Sequence, residues 1–154
     1  MRLMLRGNWH VLEGFVRLRF SMADCIFCNV ISKNEPHHEI WWKDDNHIAF
    51  LDLAPNKKGH TLVIPRKHQE ELFAMSETNY VDLMIASREV ALLLKKVLLK
   101  KRIGVVIEGM SIDHIHVHLI PIENSGDLET FSEYKLEEGE LEKLGEDLRR
   151  FTNN

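Results

Sequence analysis

Asp113-His114-Ile115-His116-Val117-His118-Leu119-Ile120-Pro121 is the stretch whose reading decides the fold. Three histidines at i, i+2 and i+4, separated by β-branched Ile115 and Val117, have the period of a strand and not of a helix. A strand sends alternate side chains to opposite faces, so the three imidazoles share one face while Ile115, Val117 and Leu119 supply the other. The outer two positions lie roughly 13 Å apart along a strand, whereas a zinc ion holds each ligand about 2 Å away. A single metal serving all three is therefore strained, and divided labour among the histidines is expected. Imidazole titrates near neutrality, which suits proton and phosphate chemistry better than a row of idle solvated rings.

Working outward, residues 59–64 read as a strand ended by Pro65 and entered from a loop at 55–59. Ile40-Trp41-Trp42-Lys43 and residues 47–53 read as two more strands, with Asp44-Asp45-Asn46 as the hairpin turn. Residues 104–108 complete a sheet of about five antiparallel strands, and a short loop at 109–112 feeds the histidine strand. Cys25 opens a short helix to about Ser32, ended by Asn34 and Pro36. Ser76 caps a long helix running to about Lys101, with Lys100, Lys101 and Arg102 in its last turn. Tyr80, Met84, Ala91, Leu94 and Leu98 mark one apolar stripe on it, and Ile85, Leu92 and Leu99 begin a second. The fold class is α+β, with the long helix packed on the sheet through one stripe. The second stripe implies a second subunit, hence a homodimer.

At 154 residues the chain has the length of one domain with a real core. A formal net charge of −4 argues against a nucleic-acid polymer as partner, since phosphate backbones call for a basic stripe. A small nucleotide is compatible with it. No apolar run reaches the 18 or so residues of a membrane span. Two cysteines only three positions apart make no secreted disulfide framework, so the cytoplasm is expected. Residues 1–21 carry four arginines and one glutamate. They are expected to be an N-terminal extension, disordered or upstream of a natural start at Met22. Residues 22–122 then form the main domain. Residues 123–154 form an acidic segment with ten carboxylates against four basic residues, whose 137–151 stretch has the period of a solvated amphipathic helix.

Several residues bear chemistry without declaring it. Cys25 and Cys28 can be a redox dithiol, two idle buried thiols or half of a zinc site. Asp52 can be a solvated carboxylate at a strand end, and His60 a packing histidine.

His114-x-His116-x-His118, with Gly59-His60-Thr61-Leu62-Val63-Ile64-Pro65 upstream, resembles the histidine triad (HIT) superfamily, nearest its Hint-like branch, from about Cys25 to Pro121. That resemblance implies a HIT-like homodimer acting on a purine nucleotide. His116 would be the nucleophile, His118 would hold a phosphate oxygen or protonate the leaving group, and His60 would orient a catalytic imidazole. Asp52 would accept from ribose hydroxyls, Phe27 and Phe50 would flank the base, and Leu53, Ser111 and His118 would complete the nucleotide site. Cys25, Cys28, His68 and His114 would hold a structural zinc, and no catalytic metal is strictly required. The 109–112 loop departs from the pattern: it is short, lacks the glutamine usual there, and offers only Ser111 as a hydroxyl. The implied activity is hydrolysis or transfer at a nucleotide α-phosphate through a nucleotidyl-histidine, on nucleoside 5′-phosphoramidates or dinucleoside polyphosphates. The alternative is a dimeric nucleotide-binding scaffold with vestigial catalysis.

Overall fold

The structure, a computed structural model, describes residues 25–33, 39–129 and 133–152. The extension at 1–21, the start at Met22 and the helix stop at Asn34 and Pro36 lie outside the described residues. In chain order the elements are α1 (Ile26–Lys33), β1 (Ile40–Lys43), β2 (His47–Leu51), β3 (Thr61–Pro65), α2 (Glu77–Val97), β4 (Arg102–Glu108), β5 (His116–Ile122) and α3 (Glu140–Thr152). The strands form one antiparallel sheet in the order β1-β2-β3-β5-β4. The expected α+β class holds, with a five-stranded sheet and α2 as its longest helix.

Alternation along the strands divides the interior in two. Ala49, Leu51, Val63, Ile115, Val117 and Leu119 pack with α2 and α3 on one side. Ile48, Phe50, Leu62 and Ile64 face α1 through Phe27 and Val30 on the other. Leu62 stands opposite His118 and Val63 opposite Val117, so the histidine row belongs to the α1 face and its β-branched neighbours to the α2 face. A one-residue slip would exchange the two sets, and burial on both faces fixes the register.

The long helix ends earlier than expected. Leu98 is its C-cap, and Leu99 takes φ 53°, the left-handed conformation that closes a helix. The Lys100 amide then donates back to the Lys95 carbonyl at 3.1 Å. The last-turn cations are Lys95 and Lys96, and Arg102 already belongs to β4. The stripe that meets the sheet is Leu83, Ala86, Ser87, Val90 and Leu94, flanked by Met84, Ala91 and Leu98, while Tyr80 is exposed. Ile85 and Leu92 are exposed as the second stripe requires.

The C-terminal helix is not merely solvated. Leu144 and Leu148 are buried beside Trp41, and Arg149 donates to Glu39 at 2.6 Å and to the Ile40 carbonyl at 3.3 Å. α3 therefore covers the edge strand β1, and among the described residues no strand pairs with the outer edge of β4.

Candidate functional site

Each triad histidine has one ring nitrogen committed to a defined partner, and that commitment decides what the other nitrogen can do. A carbonyl oxygen can only accept, so the nitrogen facing it carries the proton. His114 donates from Nε2 to the Pro65 carbonyl at 2.8 Å, which leaves the Nδ1 lone pair free. His116 donates from Nδ1 to the His114 carbonyl at 2.7 Å, which leaves its Nε2 lone pair free.

The His114 lone pair faces sulfur. Nδ1 lies 3.4 Å from Cys25 Sγ and 3.6 Å from Cys28 Sγ, and His68 Nδ1 lies 3.3 Å from Cys28 Sγ. All four donor atoms fall within 4.8 Å of one another. Tetrahedral zinc with bonds of about 2.0 to 2.3 Å requires ligand separations of about 3.5 Å, so the donor set fits the ion. Burial pushes the Cys28 thiol up to about 11, with the neighbouring Cys25 adding to it, and burial drives His114 down to about 4. A cation arriving there would displace the thiol protons and find His114 already neutral.

The other end of the row is built differently. The backbone amide of Asn56 donates to His60 Nδ1 at 3.2 Å. An amide can only give a proton, so neutral His60 carries its own on Nε2 and donates it to His118 Nδ1 at 2.9 Å. His118 in turn holds its proton on Nε2. Burial lowers both pKa values, His118 to about 4, while the Asp52 carboxylate opposes the fall at His60. Asp52 Oδ2 stands 3.3 Å from His60 Nδ1, and its Oδ1 accepts from the Ala54 amide at 3.0 Å.

Between the two ends sits His116, with its ring centroid 4.8 Å from that of His118 and 5.3 Å from that of Phe27. Phe27 also meets Phe50 edge-on at 5.6 Å, and both rings are buried, so they form the floor beneath the triad. Leu53 is 48% exposed. Ser111 lines a cleft of about 240 Å³ with Cys25, His68, Met110 and Ile112, on the sulfur side of the row. The structure thus gathers His60, His116, His118 and Asp52 into one cluster and Cys25, Cys28, His68 and His114 into an adjoining one. Three contributors escaped the sequence reading: the carbonyls of Pro65 and His114, and the Asn56 amide. Backbone groups leave no mark in residue identity; only the 55–59 loop length hinted at the last.

An antiparallel sheet that sets three alternate histidines between a sulfur-rich donor set and a hydrogen-bonded histidine pair defines a histidine-triad protein. The chain belongs to the HIT domain family, whose model matches residues 33–125. It is 33% identical over 117 residues to an uncharacterised HIT-like protein of Methanocaldococcus jannaschii, covering 72% of this chain and 89% of that one. It is 29% identical over 131 residues to the adenosine 5′-monophosphoramidase of Schizosaccharomyces pombe, covering 80% and 95%. Among solved structures, a zinc-bound histidine triad family protein of Mycobacterium smegmatis superposes with a TM-score of 0.70 at 24% identity, over 86% of this chain and 99% of that one, which is a likeness of fold.

Proposed function

We propose that this protein is a nucleotide hydrolase or transferase acting at a nucleotide α-phosphorus, with nucleoside 5′-phosphoramidates as its principal substrates and dinucleoside polyphosphates as the second class. The observation that carries the reading is the hydrogen-bond pattern around two adjoining rings: His116 Nδ1 faces the His114 carbonyl and His118 Nδ1 faces His60 Nε2, from which we assign a lone pair to His116 Nε2 and a proton to His118 Nε2. His116 Nε2 attacks phosphorus, a nitrogen–phosphorus bond forms, and the bond to the leaving amine or phosphate breaks. His118 Nε2 gives that leaving group its proton. Water then displaces His116, returns a proton to His118, and frees the nucleoside monophosphate. The relative in Schizosaccharomyces pombe, named for its action on adenosine 5′-monophosphoramidate, supports this choice of substrate.

Asp52 is assigned to the ribose hydroxyls, with Leu53 and Ser111 at the margins of the nucleotide and Phe27 and Phe50 beneath it. Cys25, Cys28, His68 and His114 are assigned to a structural zinc, which would tie α1 and the segment after β3 to the start of the triad strand. Its contribution is mechanical, since the His114 carbonyl holds the His116 proton. A homodimer is assigned to the outer β4 edge and the adjoining α2 face, where Val81, Ile85, Leu92 and Val105 are between 44% and 53% exposed. Residues 22–122 are taken as the catalytic domain and the cytoplasm as its place. No helix among the described residues is long and apolar enough to cross a membrane.

The test is release of AMP from adenosine 5′-phosphoramidate and from a diadenosine polyphosphate, in chelator, by the wild type and His116→Ala. Release that depends on His116 supports the assignment, and release that survives the substitution rejects it. Ile85→Glu with Leu92→Glu should convert a dimer to a monomer in sedimentation. An unchanged mass would place the interface elsewhere.

A further inference from the structure

We infer that the acidic C-terminal segment is a positioning device for the catalytic proton: through the 55–59 loop, Asp127, Tyr134 and Glu140 hold His118 in the tautomer that donates to the leaving group. The inference deepens the reaction proposed above and rests on it only for its kinetic consequence.

His60 Nδ1 has two neighbours with opposite demands. The Asn56 amide at 3.2 Å requires a lone pair there, while Asp52 Oδ2 at 3.3 Å would hold a proton there. His60 is only 2% exposed, so water cannot arbitrate between them. A carboxylate beside a lone pair is unfavourable, and the present tautomer persists only while the Asn56 amide is held in place. Were the amide to withdraw, a proton on Nδ1 would bind Asp52 and His60 Nε2 would become an acceptor. His118 would then donate from Nδ1 and present a bare lone pair at Nε2. Both rings stay neutral and both protons are kept; each has moved from Nε2 to Nδ1. A general acid has become a base.

The loop is closed internally by the His60 amide, which donates to the Lys57 carbonyl at 3.0 Å, and the segment after β5 braces it from outside. The Tyr134 amide donates to the Pro55 carbonyl at 2.7 Å. Lys57 Nζ meets Asp127 Oδ1 at 3.2 Å, and Lys58 Nζ meets Glu140 Oε1 at 2.7 Å, where the Tyr134 hydroxyl also donates at 2.9 Å. Three loop residues that flank Asn56, namely Pro55, Lys57 and Lys58, are thus each held by a partner in the 127–140 segment. Asp127 Oδ2 further accepts from the Glu123 and Asn124 amides, each at 2.8 Å, directly beyond the end of the strand bearing His118. One carboxylate therefore ties the His118 strand to the His60 loop. Backbone amides of Asn124 and Glu123 hold the Asp127 carboxyl at about 2, and Lys58 holds that of Glu140 at about 2, so both anchors stay ionised across the working range.

The test is the conservative pair Tyr134→Phe with Glu140→Gln in the full chain. Nitrogen-15 spectra of the substrate-free protein should move His118 from protonated Nε2 to protonated Nδ1. Adding Asp52→Asn, whose amide can donate to His60 Nδ1, should return the original spectrum. For a phosphoramidate, kcat should fall about a hundredfold with KM within twofold, because the leaving amine needs its proton. For a nitrophenyl ester of the same nucleotide, whose leaving group needs none, kcat should hold. An unchanged spectrum, or equal losses with both leaving groups, overturns the inference. If the pair unfolds, Lys57→Met with Lys58→Met cuts the same grip from the loop side under the same criteria. The spectra are read without substrate, so turnover surviving in His116→Ala would overturn the reaction and leave the positioning role to be decided by the tautomer.

Discussion

The two ends of one histidine row, His118 on β5 and His114 in the bend that leads into it, set the same side chain in opposite surroundings. At His114 a carbonyl takes the Nε2 proton and turns the Nδ1 lone pair toward two thiols and a second imidazole. At His118 the Nδ1 position is occupied by a proton from His60, and Nε2 keeps its own. The lone pairs converge at one end and the protons run in a chain at the other. In the proposed division of labour, residue type would not decide between a metal ligand and a proton donor; the group on the far nitrogen would.

Substitution at the middle of the row should have the largest effect. His116→Ala is expected to lower AMP release by at least about a thousandfold while nucleotide binding, read by calorimetry, stays within a few-fold. Comparable loss of binding would make His116 a ligand contact and not a nucleophile.

Next comes the sulfur end. Elemental analysis should find one zinc per chain, and removing it should cost about 3 kcal/mol when free zinc is a hundredfold above its dissociation constant. That corresponds to roughly 6 to 12 °C in the melting midpoint. Cys28→Ser should melt at the stripped value and ignore added zinc. Turnover should survive stripping at temperatures where the protein stays folded, and its complete loss there would erase the contrast between the two ends.

A backbone change tests the proton end from below. Gly59 has φ 85°, and a Cβ there would collide with the Leu98 side chain. Gly59→Ala should destabilise the fold by about 1 to 3 kcal/mol in urea denaturation. It should also lower turnover, since the next residue is His60.

The gentlest effect is on pH. His118 has a folded pKa depressed from 6.5 to about 4, so between those values the unfolded chain binds the extra proton. Its share of stability is complete above pH 6.5 and is lost as pH falls toward 4. Zinc-stripped His118→Gln should therefore show a shallower loss of stability than wild type over that window, measured by denaturant midpoints. Equal slopes would mean that His118 is not buried as a neutral ring.

The triad strand, the hairpin before it and the paired apolar and histidine faces were legible because period-two alternation is written into residue identity. Cys25, Cys28, His68 and His114 also came together as the resemblance implied. The end of α2 was not legible: its closing left-handed residue is Leu99, where a glycine would have announced it. Nor was the choice of core stripe, because α2 is apolar on two sides and only packing selects Leu83, Val90 and Leu94. Asn56 was invisible for a third reason, since its contribution is a main-chain amide. The tail read as solvated because its charges dominate its composition, whereas Leu144, Leu148 and Glu140 are held by distant partners.

The most direct test of the account is a rapid quench of the wild type with a nucleoside phosphoramidate labelled at phosphorus, held at alkaline pH where a phosphorus–nitrogen bond to imidazole survives, followed by peptide mapping. Label is expected on the peptide containing His116, appearing before AMP and absent in His116→Ala. Label on no histidine, with AMP released at the full rate from the first turnover, would mean direct attack by water and would contradict it.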